Sequence, residues 1–332
     1  MKHLLLVHTG GTLGMVGGKP HPLRPDTLAS TVHSFVPELG EIAAIDFEVF
    51  ANVDSSELQP EHHENLAKYI FARYESYDGF VIIHGTDTMA YTASALSFLL
   101  RGLTKPIVIT GSQRPISELR SDAKGNLTAA CVLAAEAPAI PEVSIFFGTV
   151  LLRGCRATKI WTTHYDAFIS PNCPPLANVG VSIERGAHIR RPGDGPTHPG
   201  RLGRSLFVVR MFPGLEPDLL RRLLDDGVSG IVIEAFGVGG VPVHERSLIP
   251  FLEAAAARNV PVILRTQCLY GPVDPSLYEG GSLAVRAGAI AAGDMTSEAA
   301  LLKLSVLVGQ GANVAQIREE LTKDWAGERS PG

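Results

Sequence analysis

The chain has 332 residues, of which 45% are hydrophobic and 19% are charged, and its formal net charge is −5. This composition predicts a folded protein with a substantial core, and the length suits two domains. Nucleic-acid binding requires clustered Lys and Arg, which the sequence lacks. No apolar run approaches the roughly 20 residues of a membrane span, and the first one is too short for a signal peptide. We therefore expect a cytoplasmic protein with neither nucleic-acid nor membrane partners.

The cysteines and histidines give no sign of a metal or disulfide framework. The four cysteines, Cys131, Cys155, Cys173 and Cys268, are scattered and form no C-x-x-C pair. This spacing is typical of free thiols in a reducing compartment. The eleven histidines include no H-E-x-x-H spacing, so structural or solvated roles are expected for them. We predict no metal site and no cofactor.

In the first half of the chain, short β-branched runs alternate with longer runs of helical spacing. Strands are predicted at residues 4–7, 47–50, 80–83, 107–110 and 143–147, and helices at 26–35, from Pro60 onwards, at 89–100 and at 122–135. Strands that alternate with helices predict an α/β fold with a mainly parallel sheet flanked by helices. This larger N-terminal domain is assigned to residues 1–190.

The second half of the chain predicts a smaller C-terminal α/β domain. Residues 191–205 are rich in Gly, Pro and Arg, which is typical of a linker. Beyond it, strands are predicted at 206–209, 230–233 and 260–264, with helices at 218–225, 244–258, 297–308 and 314–321. The smaller domain is therefore assigned to residues 206–332.

Polar side chains follow four of the predicted strands. They are Thr12, Asp54-Ser55-Ser56, Thr86-Asp87 and Ser112. In a parallel sheet the carboxyl ends of the strands lie along one edge, where ligands bind. Helix capping is the alternative for Thr86 and Asp87 before the helix at 89, and for Asp54 to Ser56 before Pro60.

A threonine hydroxyl is a poor nucleophile until a base removes its proton. A lysine can act as that base if burial lowers its pKa and a carboxylate orients it. Lys159, in a less regular segment, is the candidate base, and Asp87 is the candidate carboxylate. The alternative is that Lys159 is a solvated surface charge, which is the usual state of a lysine.

Two motifs carry a resemblance to a known family. Thr9-Gly10-Gly11-Thr12 is followed by His84-Gly85-Thr86-Asp87-Thr88-Met89, and together they resemble the asparaginase/glutaminase family. The cytoplasmic, type I L-asparaginases are the more similar branch. Further matches are Gly111-Ser112-Gln113, Arg153-Gly154, Ala157-Thr158-Lys159, Asp166-Ala167-Phe168, Ser170-Pro171-Asn172, Thr266-Gln267-Cys268 and residues 294–299. The resemblance therefore extends over nearly the whole chain.

The resemblance implies hydrolysis of L-asparagine to L-aspartate and ammonia. Thr12 is implied to attack the side-chain amide and form a β-aspartyl ester. Thr86, with Lys159 as base and Asp87 beside it, is implied to activate the water that releases aspartate. Family members differ over which threonine reacts first, so Thr86 remains the alternative nucleophile. Main-chain N–H groups near Thr12 and Thr86 are implied to hold the oxyanion.

The resemblance also implies the substrate contacts and the assembly. The implied substrate-binding residues are Gly11, Asp54, Ser55, Ser56, Thr86, Asp87 and Ser112. Their polarity suits the α-amino and α-carboxylate groups of a free amino acid. A homodimer or homotetramer is expected.

Two departures from the family pattern concern the first loop and a second site. The family loop after the first threonine often supplies a tyrosine, and residues 15–28 contain none. Thr266 and Cys268 match a regulatory asparagine site of some type I enzymes, but Glu234 stands where that site has an arginine. An acidic side chain cannot clamp a carboxylate. Regulation is therefore expected to be weakened, altered or absent.

Several other functions remain open on the sequence. A glutaminase or another amidohydrolase of the family differs in pocket volume, since one methylene is worth about 1–3 kcal/mol. An ammonia-producing subunit of a tRNA amidotransferase usually carries an extra N-terminal domain, so it is the less favoured relative. A dinucleotide site at Gly10 to Gly14 would need G-x-G-x-x-G spacing, which is missing. An idle amino-acid sensor would not need Thr12, Thr86, Asp87 and Lys159 together.

Overall fold

The computed structural model describes residues 1–14, 32 and 34–331. It divides the chain into two compact units, Met1–Pro199 and Gly200–Gly332. The division falls inside the segment predicted to be a linker, whose bounds of 191–205 stay a prediction. The predicted helix at 26–35 lies almost wholly outside the described residues. No helix of the described chain is both long and apolar enough to cross a membrane.

The first unit is built on an eight-stranded sheet. Its strands and those of a separate two-stranded pair are β1 (His3–Gly10), β2 (Ala44–Val53), β3 (Gly79–Ile83), β4 (Ile107–Thr110), β5 (Val143–Phe147), β6 (Val150–Arg153), β7 (Thr158–Lys159), β8 (Phe168–Ile169), β9 (Ala177–Val179) and β10 (Ile183–Arg185). The helices of this unit are α1 (Leu39–Ile42), α2 (Pro60–Arg73), α3 (Met89–Leu99) and α4 (Ala123–Ala135). The predicted α/β fold is confirmed.

The central strands are buried on both faces of the sheet. Successive side chains of a strand point to opposite faces, and in β1 both Leu4 and Leu5 are fully buried. Leu4 packs in one cluster with Leu127 of α4, whereas α3 packs against β4 and β5. Because helices cover both faces of the sheet, its central strands are continuous apolar runs, which is the pattern that predicted them.

The order of the strands reverses at β1, which lies between β2 and β3 in the sheet. The order is β10-β9-β6-β5-β4-β3-β1-β2, and β1 to β5 are parallel. The chain therefore leaves β1 towards β2 on one side and resumes with β3 on the other. In open α/β sheets ligands bind at the carboxyl end of the strands where the order reverses in this way.

The sheet continues with strands that the sequence did not reveal. β6 runs antiparallel to β5 after a tight turn at Gly148, whose φ is +64°. Arg153 at the end of β6 donates to both carboxylate oxygens of the buried Glu142, at 2.5 and 3.0 Å. Neither β6 nor β9 was predicted: β6 has only four residues, and β9 has three, which is below the length at which periodicity is informative.

The second unit is a smaller parallel α/β domain. Strands β11 (Leu206–Arg210), β12 (Gly230–Ala235), β13 (Val262–Thr266) and β14 (Ile290–Ala291) lie in that order in one sheet. Its helices are α5 (Pro217–Asp225), α6 (Ile249–Ala257), α7 (Glu279–Arg286), α8 (Ser297–Gly309) and α9 (Val314–Thr322).

In the second unit, one helix and one strand begin two or more residues later than predicted, and in each case a proline lies beside the observed start. The helix predicted from residue 244 begins at Ile249, with Pro250 in its first turn, where a missing N–H does no harm. The strand predicted from residue 260 begins at Val262, after Pro261, which has no N–H for a ladder. Helix α7 was missed because Gly280 and Gly281 lie in its first turn, and glycine is a poor helix former.

Candidate active site

Glycines bring the turns after β1, β2 and β3 into direct contact. Gly11 has a φ of +96°, and a methyl group added to it would lie 2.5 Å from Cα and N of Gly85. A methyl group added to Gly85 would lie 2.6 Å from Oγ of Ser55. No side chain fits in either gap, so Gly11 packs backbone to backbone on Gly85, and Gly85 packs against the Ser55 side chain. The turns that carry Thr12, Ser55 and Thr86 therefore meet at the edge of the sheet.

Lys159 reaches this edge from the short pair of strands β7 and β8. Its Nζ donates to Oγ1 of Thr86 at 2.8 Å and to Oδ1 of Asp87 at 2.6 Å. The Lys159 side chain is 18% exposed and that of Asp87 is 67% exposed, while Thr86 is buried. The alternative of a solvated lysine is wrong, because Lys159 bridges the two residues predicted to work with it.

Thr86 and Asp87 do not act as side-chain caps of α3. The residue in the N-cap position is Thr88, and it makes no side-chain cap hydrogen bond. The Thr88 hydroxyl donates instead to the carbonyl of Ser55 at 2.7 Å. This bond ties the start of α3 to the turn after β2.

Thr12 opens a short 3₁₀ turn, Thr12–Gly14, directly after Gly11. It is half-buried. Residues 15–31, including the loop without a tyrosine, lie outside the described residues.

Asp54 caps a short 3₁₀ turn, Ser55–Glu57, and not the helix that begins at Pro60, whose N-cap residue is Gln59. Its Oδ1 accepts from both N and Oγ of Ser56, each at 2.8 Å. The Ser56 backbone N–H and then its hydroxyl hold the pKa of Asp54 below the usual value, so the group is an anion at neutral pH. Ser55 is buried against Gly85, and Asp54 and Ser56 are exposed. Their contact with a substrate stays a prediction.

Ser112 is buried after β4, and its hydroxyl donates to the carbonyl of Arg114 at 2.6 Å. The loop is also held from α4, because the Asp122 carboxylate accepts from the backbone N–H of Gln113 at 2.9 Å. Asn126 donates to the carbonyl of Gly111 at 2.9 Å. Sequence reasoning used Asp122 only as a helix start and missed Asn126, whose position four residues later on the same helix face was the available signal.

Three buried histidines lie behind these turns, and sequence reasoning gave them no role. His84 Nδ1 is 2.6 Å from the carbonyl of Gly85, and Nε2 is 2.8 Å from Oγ1 of Thr92. Thr92 Oγ1 is in turn 3.1 Å from Nε2 of His63. His8 Nε2 is 3.3 Å from Oδ1 of Asn52. Burial lowers the pKa of His8 and His84 to about 4 and that of His63 to about 3, so all three are neutral at pH 7.

The residues predicted for a regulatory site lie in the second unit. The Thr266 hydroxyl donates to the carbonyl of Gly237 and accepts from N of Cys268, the latter at 3.0 Å. Glu234 is buried between Arg265 at 3.6 Å and Arg210 at 3.4 Å. The described residues hold no group of three or more His, Cys, Asp and Glu suited to a metal ion.

Comparison with known proteins identifies the family. The model for the N-terminal asparaginase domain matches residues 3–190, and the model for the glutaminase/asparaginase C-terminal domain matches residues 206–321. The chain belongs to the asparaginase family. It is 38% identical to L-asparaginase 1 of Escherichia coli K12, with 99% of this chain and 98% of that protein covered.

Solved structures of asparaginases have the same fold as this chain. L-asparaginase I from Vibrio cholerae superposes with a TM-score of 0.90 at 38% identity, and 99% of each chain is covered. The thermostable L-asparaginase from Thermococcus kodakarensis superposes with a TM-score of 0.89 at 36% identity, covering 99% of this chain and 100% of that one. The resemblance inferred from the motifs is confirmed.

Proposed function

We propose that this protein is an L-asparaginase that hydrolyses L-asparagine to L-aspartate and ammonia through a threonine acyl-enzyme. The observation that carries the proposal is the bridge from Lys159 to Thr86 and Asp87. It lies beside the Thr12 turn, because Gly11 packs on Gly85. A partly buried lysine held by a carboxylate and a hydroxyl suits proton transfer at a threonine site.

In the first half of the reaction, the Thr12 hydroxyl adds to the carbon of the side-chain amide. The hydroxyl proton ends on the amide nitrogen, the C–N bond breaks, and ammonia leaves a β-aspartyl ester on Thr12. Negative charge develops on the amide oxygen during this step, and we assign its stabilisation to the backbone N–H groups near Thr12 and Thr86.

In the second half, Lys159, Thr86 and Asp87 activate the water that cleaves the ester. The Thr86 hydroxyl accepts from Lys159 Nζ, which leaves its own proton to be donated or exchanged with the reacting group. Asp87 holds the Lys159 amine in place at 2.6 Å. The water oxygen adds to the ester carbon, the Thr12–ester bond breaks, and Thr12 recovers its proton.

The polar turns provide for a free amino acid. The Asp54 and Asp87 carboxylates suit the α-ammonium group, and Ser55, Ser56, Ser112 and the backbone at Gly11 suit the α-carboxylate. Because these groups recognise the part common to asparagine and glutamine, the choice between them depends on the length of the side chain. One methylene is worth about 1–3 kcal/mol of discrimination, so a glutaminase side activity is compatible with this site.

Ammonia release from L-asparagine and from L-glutamine tests the function directly. The wild type should release ammonia from asparagine, and Thr12→Ala should lose at least about 10³-fold in kcat, as removal of a catalytic nucleophile does. Thr322→Ala, which removes an exposed threonine of the second unit, should be unchanged. A wild type silent on both amides would exclude the proposed activity. Activity on glutamine alone would favour the glutaminase, and full activity in Thr12→Ala would move the nucleophile to Thr86.

The second unit holds the residues that match a regulatory asparagine site. Thr266 and Cys268 are assigned to a regulatory site whose effect is weakened, altered or absent, because Glu234 stands where an arginine would bind a carboxylate and it pairs with Arg265 instead. Asparagine saturation should then be hyperbolic, and a Hill coefficient well above one would contradict this.

A cytoplasmic homodimer or homotetramer is the expected form, supported by exposed apolar side chains such as Phe207 and Tyr270. Light scattering distinguishes these assemblies from a monomer.

A further inference from the structure

His84 makes a bond to the peptide immediately after it. Its Nδ1 lies 2.6 Å from the carbonyl oxygen of Gly85. A carbonyl oxygen can only accept, so this nitrogen must carry the proton. His84 is neutral at pH 7, because burial lowers its pKa to about 4, and its Nε2 is therefore a bare acceptor.

Thr92 and His63 complete a chain of bonds with one consistent direction. His84 Nε2 can only accept, so the Thr92 hydroxyl, 2.8 Å away, donates its single proton to it. The same hydroxyl oxygen then accepts from Nε2–H of His63 at 3.1 Å. The direction runs from α2, which carries His63, through Thr92 of α3 to the turn after β3. The Gly85 carbonyl requires the proton of His84 on Nδ1. That tautomer makes the Thr92 hydroxyl a donor to His84, which in turn requires the proton of His63 on Nε2.

The bond to the Gly85 carbonyl also fixes the opposite side of that peptide. The Gly85–Thr86 peptide is planar and trans, so its N–H points away from its carbonyl. The carbonyl faces the buried ring of His84. The N–H of Thr86 therefore points away from the ring. Within the described part of the chain, no carbonyl or side chain accepts from it.

We propose that His84 is a positioning residue that aims the Thr86 N–H at the oxyanion of the substrate, and that Thr92 and His63 hold His84 in the tautomer this requires. The inference rests on the amide hydrolysis proposed for this site. A donor that must not reorient during the reaction is the most effective kind of oxyanion stabiliser. A free Gly85 carbonyl would let the peptide rotate and would weaken that donor.

The alternative is that the three side chains only fill the core with satisfied hydrogen bonds. A purely structural role predicts lost stability with equal damage to substrate binding and catalysis. A positioning role predicts a loss in kcat with little change in the KM for L-asparagine, because the neutral amide of the bound substrate becomes an oxyanion only in the transition state.

Variants of Thr92 separate these roles. Thr92→Val removes the hydroxyl and frees His84 to place its proton on Nε2, so kcat for asparagine should fall at least tenfold, towards the 10²–10³ measured for loss of an oxyanion donor. The KM for L-asparagine should change by less than about twofold, and Thr92→Ser should restore kcat to within about threefold. Ser97→Ala is the matched control, since it removes another buried hydroxyl of α3, bonded to the Ala93 carbonyl at 2.8 Å.

The tautomer can be read without reference to activity. In protein labelled with ¹⁵N-histidine, the His84 ring should show its proton on Nδ1 in the wild type, and partly or wholly on Nε2 in Thr92→Val. The signal is assigned by its disappearance in His84→Asn. A wild-type ring protonated on Nε2 would overturn the proposal.

The kinetic outcomes distinguish this inference from the proposed function. If the wild type hydrolyses asparagine and Thr92→Val does so equally fast, the positioning role is wrong and the function stands. The positioning role is also wrong if the KM for asparagine rises in Thr92→Val as much as kcat falls, or if Thr92→Ser is as impaired as Thr92→Val. If the wild type hydrolyses neither amide, both the function and the positioning role are wrong.

Discussion

At the scale of single residues, the site depends on a lysine that is held by two polar groups and is only partly exposed to solvent. Lys159 Nζ bonds to both Thr86 and Asp87, and its side chain is much less exposed than that of Asp87. The ion pair with an exposed carboxylate is worth little to stability. Its value is therefore in orientation, since it holds a nitrogen against the Thr86 hydroxyl in one position.

Replacement of Lys159 tests this orientation. Lys159→Met removes the amine and keeps most of the side-chain length, so kcat for asparagine should fall by about 10²–10⁴, as measured by ammonia release. The free energy of unfolding should change by less than about 1 kcal/mol. Lys68→Met is the control, because Lys68 is an exposed lysine with a 3.9 Å contact to Glu64. A Lys159→Met enzyme that retains a tenth or more of wild-type kcat would contradict the role.

Gly11 is the residue that sets the separation of the two threonine turns. In Gly11→Ala, the methyl group would meet Gly85 at 2.5 Å and the residue would have to keep a φ of +96°. We expect a loss of about 1–3 kcal/mol in stability, and kcat/KM should fall at least 100-fold because a displacement near 1 Å is enough for that. Urea unfolding and ammonia release measure the two effects.

Gly125→Ala is the matched control for Gly11→Ala. Gly125 lies in α4, and a methyl group there would have nothing within 4 Å. It should raise stability by about 0.5–1 kcal/mol, because alanine is the better helix former, and leave activity unchanged. If the two variants behaved alike, contact between the turns would not be what the site requires.

At the scale of elements, the sequence predicted the strands that are continuous apolar runs and missed the shortest strands. β4 and β5 were predicted to the residue, because each is a β-branched or aromatic run buried on both faces. β7 was missed, although it carries Lys159, because two residues have no periodicity. Only the resemblance brought Lys159 to the site, since the long-range bond to Thr86 has no local signal. The histidines behind the turns were missed for the same reason.

The end of the chain is fixed to helix α8 by a buried ion pair. Lys303 Nζ and Glu328 Oε1 are 2.5 Å apart, and both side chains are fully buried. The Glu328 carboxylate also accepts from the backbone N–H groups of Trp325 and Ala326, at 3.0 and 2.8 Å. The lysine charge can be tolerated there only while its partner remains.

Glu328→Gln should therefore destabilise the second unit by about 3–5 kcal/mol, because it leaves the Lys303 charge buried without a counter-ion. Urea unfolding followed by Trp325 fluorescence, in a Trp161→Phe background, reports on this unit. Glu319→Gln removes the exposed partner of Lys323 and should have an effect below about 1 kcal/mol. Equal losses of stability in the two variants would show that the buried ion pair contributes no more to folding than the exposed one.

At the scale of the whole molecule, the three buried histidines should make folding sensitive to mild acid. Burial lowers the pKa of His8 and His84 to about 4 and that of His63 to about 3, whereas an unfolded histidine has a pKa of about 6.5. Above pH 6.5 both states are neutral at these positions and the histidines carry no penalty. Between pH 6.5 and about 4, the unfolded chain binds protons that the folded chain refuses, so stability must fall as the pH falls.

Each such histidine contributes a slope of about 1.4 kcal/mol per pH unit near pH 5. Urea unfolding at pH 7.5, 6.5, 5.5 and 5.0 should give a flat free energy at first and then a steep decline. His63→Gln keeps an N–H that can donate to Thr92, and it should reduce the slope by about one histidine's share. A free energy of unfolding that stays level from pH 6.5 to 5.0 would mean that these rings take up protons in the folded state. The proposed His84 tautomer requires neutral histidine rings, and that result would exclude them between pH 6.5 and 5.0.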